Sequence, residues 1–90
     1  MRPALPLLVV VVLSSCFGGA VSQGSECAAF ASCQRALDTA AGETTNLDRF
    51  DEGGYCWHNR TLAEGCTTAC VRALERLRAR ASSLPQECQP

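Results

Sequence analysis

From Ala4 to Leu13 the chain reads ALPLLVVVVL, an apolar run of ten residues broken only by Pro6 and closed by Ser14 and Ser15. Met1 and Arg2 supply a short positive start and small residues follow, which is the three-part layout of an export signal. A spanning helix needs about 20 apolar residues to cross the hydrocarbon core, so this run does not predict a retained transmembrane helix. Beyond it the apolar positions become periodic. Cys27, Phe30, Cys33, Leu37, Ala40 and Ala41 fall on one helical stripe, with Gln34, Arg35 and Asp38 mostly away from it. That spacing predicts a first helix with Ser25 as its cap, Glu26 in the favourable first turn and Gly42 as its stop.

Residues 43–52 allow a short helix from Thr45, whose spacing to Asp48 resembles a capping box, with Leu47 and Phe50 facing inward. Gly53-Gly54 breaks the chain, and Tyr55-Cys56-Trp57-His58 follows as a compact, aromatic, non-helical strip. Thr61-Leu62-Ala63-Glu64 is a capping box that opens a second long helix. Its apolar stripe is Leu62, Cys66, Ala69, Cys70, Ala73 and Leu77. Arg76, Arg78 and Arg80 near its end complement the negative pole of the macrodipole, Pro85 helps to end it, and Cys88 ties the tail back. The expected fold is all-α: a small disulfide-stapled helical hairpin of two long antiparallel helices and one short one, following a cleaved signal peptide.

Length and composition explain the staples. The chain has room for one small domain, and its large apolar side chains beyond the signal are few: Phe30, Phe50, Tyr55, Trp57 and a handful of leucines. Extra cross-links are expected in such a domain. Cys27, Cys33, Cys56, Cys66, Cys70 and Cys88, spaced C-x5-C-x22-C-x9-C-x3-C-x17-C in an exported chain, supply them as three disulfides. Cys27 and Cys33 stand about 9 Å apart along a helix, beyond the usual disulfide Cα separation of about 4.4–6.8 Å. Cys66 and Cys70 share a helix face but point outward in parallel, so each pair should bond to other elements. Antiparallel helices favour a nested set, Cys27–Cys88, Cys33–Cys70 and Cys56–Cys66, out of the roughly 15 pairings that six cysteines allow.

Charge and candidate chemistry narrow the function. Residues 17–90 carry seven arginines against nine acidic residues, a net charge of −2, which excludes the basic face of a nucleic-acid binder. The charge is uneven: acids dominate residues 23–58, and five arginines stand in residues 59–90. Cys56, His58, Cys66 and Cys70 form a zinc-type ligand set, but an oxidising setting favours disulfides, so neither metal nor cofactor is expected. His58 is the only histidine, and GxSxG, CxxC and HExxH are absent. Adjacent acids such as Asp51-Glu52 read as a solvated helix end, and an enzyme is not expected. Tyr55, Trp57 and His58 are the candidate binding residues, because aromatic side chains dominate interface hot spots; Trp57 has the competing role of covering the Cys56 disulfide. Arg72, Arg76, Arg78 and Arg80 suit anionic lipid or an acidic partner, although bases belong at a helix C-terminus in any case. Asn59-Arg60-Thr61 is an acceptor triplet for N-glycosylation, and it overlaps the expected Thr61 cap.

Two routes of processing compete. An ordinary signal peptidase would cut at small residues, after Ala20 or after Ser22, discarding Cys16. Leu13-Ser14-Ser15-Cys16, placed where the apolar run ends, resembles the lipobox of bacterial lipoprotein precursors. That resemblance covers four residues and implies cleavage before Cys16 with lipid on its thiol. The division of the chain is then a signal peptide at 1–15, a flexible tether at 16–25 and a cysteine-rich helical domain at 26–90. The implied protein is a lipid-anchored, non-enzymatic lipoprotein of the bacterial cell envelope with a binding or envelope role, its partners the membrane and an unknown extracytoplasmic protein. The alternative is a freely secreted disulfide-rich effector peptide, of the toxin, defence or signalling kind. Net negative charge counts against a cationic antimicrobial.

Overall fold

The computed structural model describes residues 19–80 and 82–90; Cys16 and the rest of the expected signal lie outside them. The described residues form an all-α domain with two long helices, α1 (Ser25–Ala41) and α2 (Arg60–Arg80). Three single 3-10 turns complete it: Asp48–Phe50, Tyr55–Trp57 and Gln86–Cys88.

Helix α1 starts at its expected cap residue, Ser25, and its cap lies one residue earlier. Gly24 occupies the N-cap position with extended backbone, its carbonyl accepting the Ala28 N–H at 3.1 Å, and Ser25 is the first helical residue. The helix stops where glycine predicts. Gly42 adopts φ +70°, and the N–H groups of Gly42 and Glu43 donate back to the carbonyls of Thr39 and Asp38, the paired bonds of a Schellman motif. The buried face comprises Cys27, Phe30, Ala31 and Cys33, whereas Ala40 and Ala41 are exposed. Asp38, expected to face away, is only 7% exposed and accepts a 2.9 Å hydrogen bond from the Gln34 amide, which partly replaces the lost water.

The short helix expected from Thr45 is reduced to a turn over Asp48–Phe50, and Asn46 sets it up instead of Thr45: its Oδ1 accepts the Asp48 N–H at 3.0 Å. Leu47 is buried as expected, and Phe50 meets the Phe30 ring edge-on at 5.4 Å. Gly54 is required by close packing, because a Cβ there would collide with the Asp48 carbonyl and approach that of Arg49 to 2.7 Å. The strip Tyr55–Trp57, expected to be non-helical, is a 3-10 turn.

Helix α2 is capped by Asn59, not Thr61. The Asn59 Oδ1 accepts the Leu62 N–H at 2.9 Å, and its carbonyl accepts the Ala63 N–H at 3.1 Å, which places Thr61 inside the first turn. Either residue type is a good cap, so only the path of the incoming chain decides between them. The Asn59→Ala variant is expected to lose about 1 kcal/mol of stability in a denaturant melt while Thr61→Ala stays near wild type; the reverse order would restore the Thr61 cap. The buried face of α2 is Cys70, Leu74 and Leu77, with Ala73 and Cys66 half-buried. Leu74 was absent from the expected stripe, and Ala69, included in it, is exposed.

The direction of the helices differs from expectation. Cys27 is bonded to Cys70, 43 residues on. Gly24 lies against Thr67, and Gln34 shares a groove with Leu77, each at that same separation. A constant difference between facing residues means that α1 and α2 run side by side in the same direction; antiparallel neighbours keep a constant sum. The connection over residues 42–59 therefore travels back along α1, which is about 25 Å long for 17 residues. Two of the three expected disulfides change for this reason. The bonds are Cys27–Cys70, Cys33–Cys88 and Cys56–Cys66, with Cα separations of 5.0, 4.6 and 5.8 Å. In parallel packing the more N-terminal Cys27 meets α2 itself, and Cys33, further along, meets the tail after α2 has ended. The expected pairs Cys27–Cys88 and Cys33–Cys70 would require the opposite direction.

Sulfur makes up much of the core. Cys27, Cys33, Cys56, Cys70 and Cys88 are fully buried, and the larger side chains among them are Phe30, Leu47, Trp57, Leu74 and Leu77. Arg78 holds the tail in place, its Nε donating to the Cys88 carbonyl at 2.7 Å and an Nη to that of Gln89 at 3.1 Å.

Candidate functional site

The glycines at 53 and 54 turn the returning chain, and the next four side chains divide between core and surface. Cys56 and Trp57 point into the core, and Tyr55 and His58 point out of it. Trp57, a candidate binding residue, is 2% exposed: its Nε1–H donates to the Phe50 carbonyl at 3.0 Å, and its own carbonyl accepts the Val21 N–H at 2.8 Å. It is a core residue beside the Cys56–Cys66 bond, and no partner reaches it without unfolding.

Tyr55 is 57% exposed and packs edge-on against His58, with ring centroids 5.5 Å apart. Beside them a concave surface of about 540 Å³ is lined by Asn46, Asp48, Arg49, Gly54 and Tyr55. The Arg49 guanidinium lies over the Phe50 ring, 5.2 Å from its centroid, on an exposed residue that lines this surface together with Tyr55. The structure thus keeps Tyr55 and His58 together, removes Trp57 and adds Arg49, Asn46 and Asp48. Sequence reasoning missed Arg49 because it lies several residues upstream; its signal was the Gly53-Gly54 pair, which folds residues 46–49 against residue 55.

The zinc-type set is not assembled. Cys66 is bonded to Cys56 and Cys70 to Cys27, and among the described residues no group of three or more histidine, cysteine or acidic side chains is placed to hold an ion. His58 makes no side-chain hydrogen bond among the described residues, so it has neither an orienting carboxylate nor a nucleophile beside it. Of the arginines on α2, Arg78 is engaged with the tail, whereas Arg72, Arg76 and Arg80 are exposed at four-residue intervals. The one ion pair among the described residues is Arg35–Asp51 at 2.8 Å, on the surface, where such pairs contribute little.

Residues 21–24, within the segment expected to be a tether, are held against the domain. The Val21 N–H reaches Trp57, the Gln23 side chain donates to the Phe50 carbonyl at 2.8 Å, and the Gln23 N–H faces the Glu52 carboxylate at 3.2 Å. Three disulfides belong to an oxidising, extracytoplasmic environment, and no helix of the described residues is long and apolar enough to cross a membrane. Compared with protein-family models, curated proteins and solved structures, the chain matches none.

Proposed function

We propose that this chain is an exported, non-enzymatic binding module that presents Tyr55, His58 and Arg49 to an extracytoplasmic protein. The observation that carries the reading is the exposure of Tyr55. In a domain short of large side chains, the other aromatic residues Phe30, Phe50 and Trp57 are drawn into or against the core, while Tyr55 is left outside beside a histidine and an arginine. Tyrosine and arginine are the residue types on which interface energy concentrates.

Free secretion suits the docked lead-in. Cleavage after Ala20 leaves Val21, half-buried and bonded to Trp57, as the first residue of the mature chain; cleavage after Ser22 removes that contact. A lipid on Cys16, favoured by the Leu13-Ser14-Ser15-Cys16 motif, is the second reading, and it leaves only residues 17–20 between anchor and docked chain.

A photo-crosslinking side chain placed at residue 55 in the exported protein is expected to trap one defined partner, and the same group at Arg72 to trap none. The Tyr55→Ala variant is expected to lose that partner in co-purification while its stability changes by no more than about 0.5 kcal/mol, the usual effect of a surface substitution. Equal trapping from both positions would remove the basis for this surface, and a large loss of stability would return Tyr55 to a structural role.

A further inference from the structure

The triplet Asn59-Arg60-Thr61 is fully displayed at the start of α2: all three residues are exposed. The Asn59 Oδ1 accepts the Leu62 N–H, and this fixes which end of the amide is which, because a backbone N–H requires an acceptor. The Nδ2 is therefore not engaged by the helix cap and makes no hydrogen bond among the described residues. Thr61 is not the cap, and its hydroxyl makes no hydrogen bond among the described residues either. The capping role that competed with the acceptor reading of Thr61 is thereby removed.

We infer that Asn59 is a glycosylation site whose modification leaves the helix cap intact. This rests on the secretion reading, with cleavage after Ala20. The donor is a lipid-linked oligosaccharyl diphosphate. The Asn59 Nδ2 bonds to the anomeric carbon of the reducing-end sugar, the bond from that carbon to the diphosphate oxygen breaks, and the lipid diphosphate leaves with the electron pair. Nδ2 gives up one of its two protons, and nothing is oxidised or reduced. The product is still an amide with a free carbonyl oxygen, so the bond from the Leu62 N–H persists. Because Asn59 directly follows His58, the glycan borders the Tyr55–His58 surface and limits from which side a partner approaches it. The acceptor also lies inside the Cys56–Cys66 loop, whose ends are 10 residues apart, so transfer is expected on the open chain before that bond closes.

The test is the intact mass of the full chain, signal included, secreted by cultured animal cells, before and after an amidase that removes N-linked glycans. Wild type is expected to begin at Val21 and to carry an oligosaccharide that the enzyme removes, leaving aspartate at position 59. Thr61→Ala and Asn59→Asp are expected at bare peptide mass, with melting temperatures close to that of deglycosylated wild type, since aspartate also caps a helix. Secreted wild type at bare mass would overturn the glycan and leave the secretion reading standing. Wild type held in the cells with its signal uncut would overturn the secretion reading, and the glycan with it.

Discussion

Replacing Cys27 and Cys70 together with alanine is expected to leave the domain largely unfolded at 37 °C. The bond closes a loop with a sequence separation of 43, for which the chain-entropy estimate is about 4 kcal/mol. Stabilities of small domains begin at about 5 kcal/mol, so one such loss removes most of the margin. The bond is also the only one of the three that joins α1 directly to α2, and both of its cysteines are fully buried. Macrodipoles aligned in the same direction give the two helices no electrostatic reason to pair. Removing Cys56 and Cys66 opens a loop of only 10 residues, for which the same estimate gives about 3 kcal/mol, so that variant is expected to melt at the higher temperature. Thermal melts followed by circular dichroism rank the two, and a peptide map of the unreduced wild type reads the bonds directly. A map joining Cys27 to Cys88 would refute parallel helices, and two double variants melting with wild type would refute the staples.

The second large effect is expected from Trp57→Ala, a loss of about 3–5 kcal/mol. Trp57 ties together parts that are distant in sequence. Its ring lies beside Gly24, its Nε1–H is bonded to Phe50, and its carbonyl holds Val21. The Trp57→Phe variant keeps most of the buried ring and loses the hydrogen bond, and the Phe50 carbonyl retains the Gln23 amide as a donor, so its cost is expected nearer to 1–2 kcal/mol, about that of one hydrogen bond and a small void. Denaturant midpoints measure both variants. If Trp57→Ala costs no more than a surface substitution, the residue belongs to the binding surface after all.

Local signals in the sequence carried a good deal of this. Gly42 ends α1 because its left-handed φ is open to glycine, and the Gly53-Gly54 pair bends the chain where predicted. The cysteine count and the scarcity of large apolar residues called for staples, and the helical stripe placed Cys27, Phe30, Cys33, Cys70 and Leu77 inside. The bond Cys56–Cys66 was legible because its partners are close in sequence and separated by a turn.

Other features depended on contacts that no short stretch of sequence encodes. An apolar stripe is the same whether its partner runs parallel or antiparallel; the direction was set by Leu47, Phe50 and Trp57, which draw residues 42–59 back along α1 into the core. Two disulfides exchanged partners in consequence. Asn59 and Thr61 cap equally well in isolation, and the preceding turn at Tyr55–Trp57 delivered the chain at Asn59. Of the aromatic strip, sequence specified the residue types, and only burial divided them, taking Trp57 inward and leaving Tyr55 and His58 outside. Sequence by itself thus determined the two long helices, the glycine stop of α1 and the need for cross-links, because those follow from backbone freedom and composition. Tertiary structure alone decided direction, pairing and surface, because those depend on which distant side chains exclude water together.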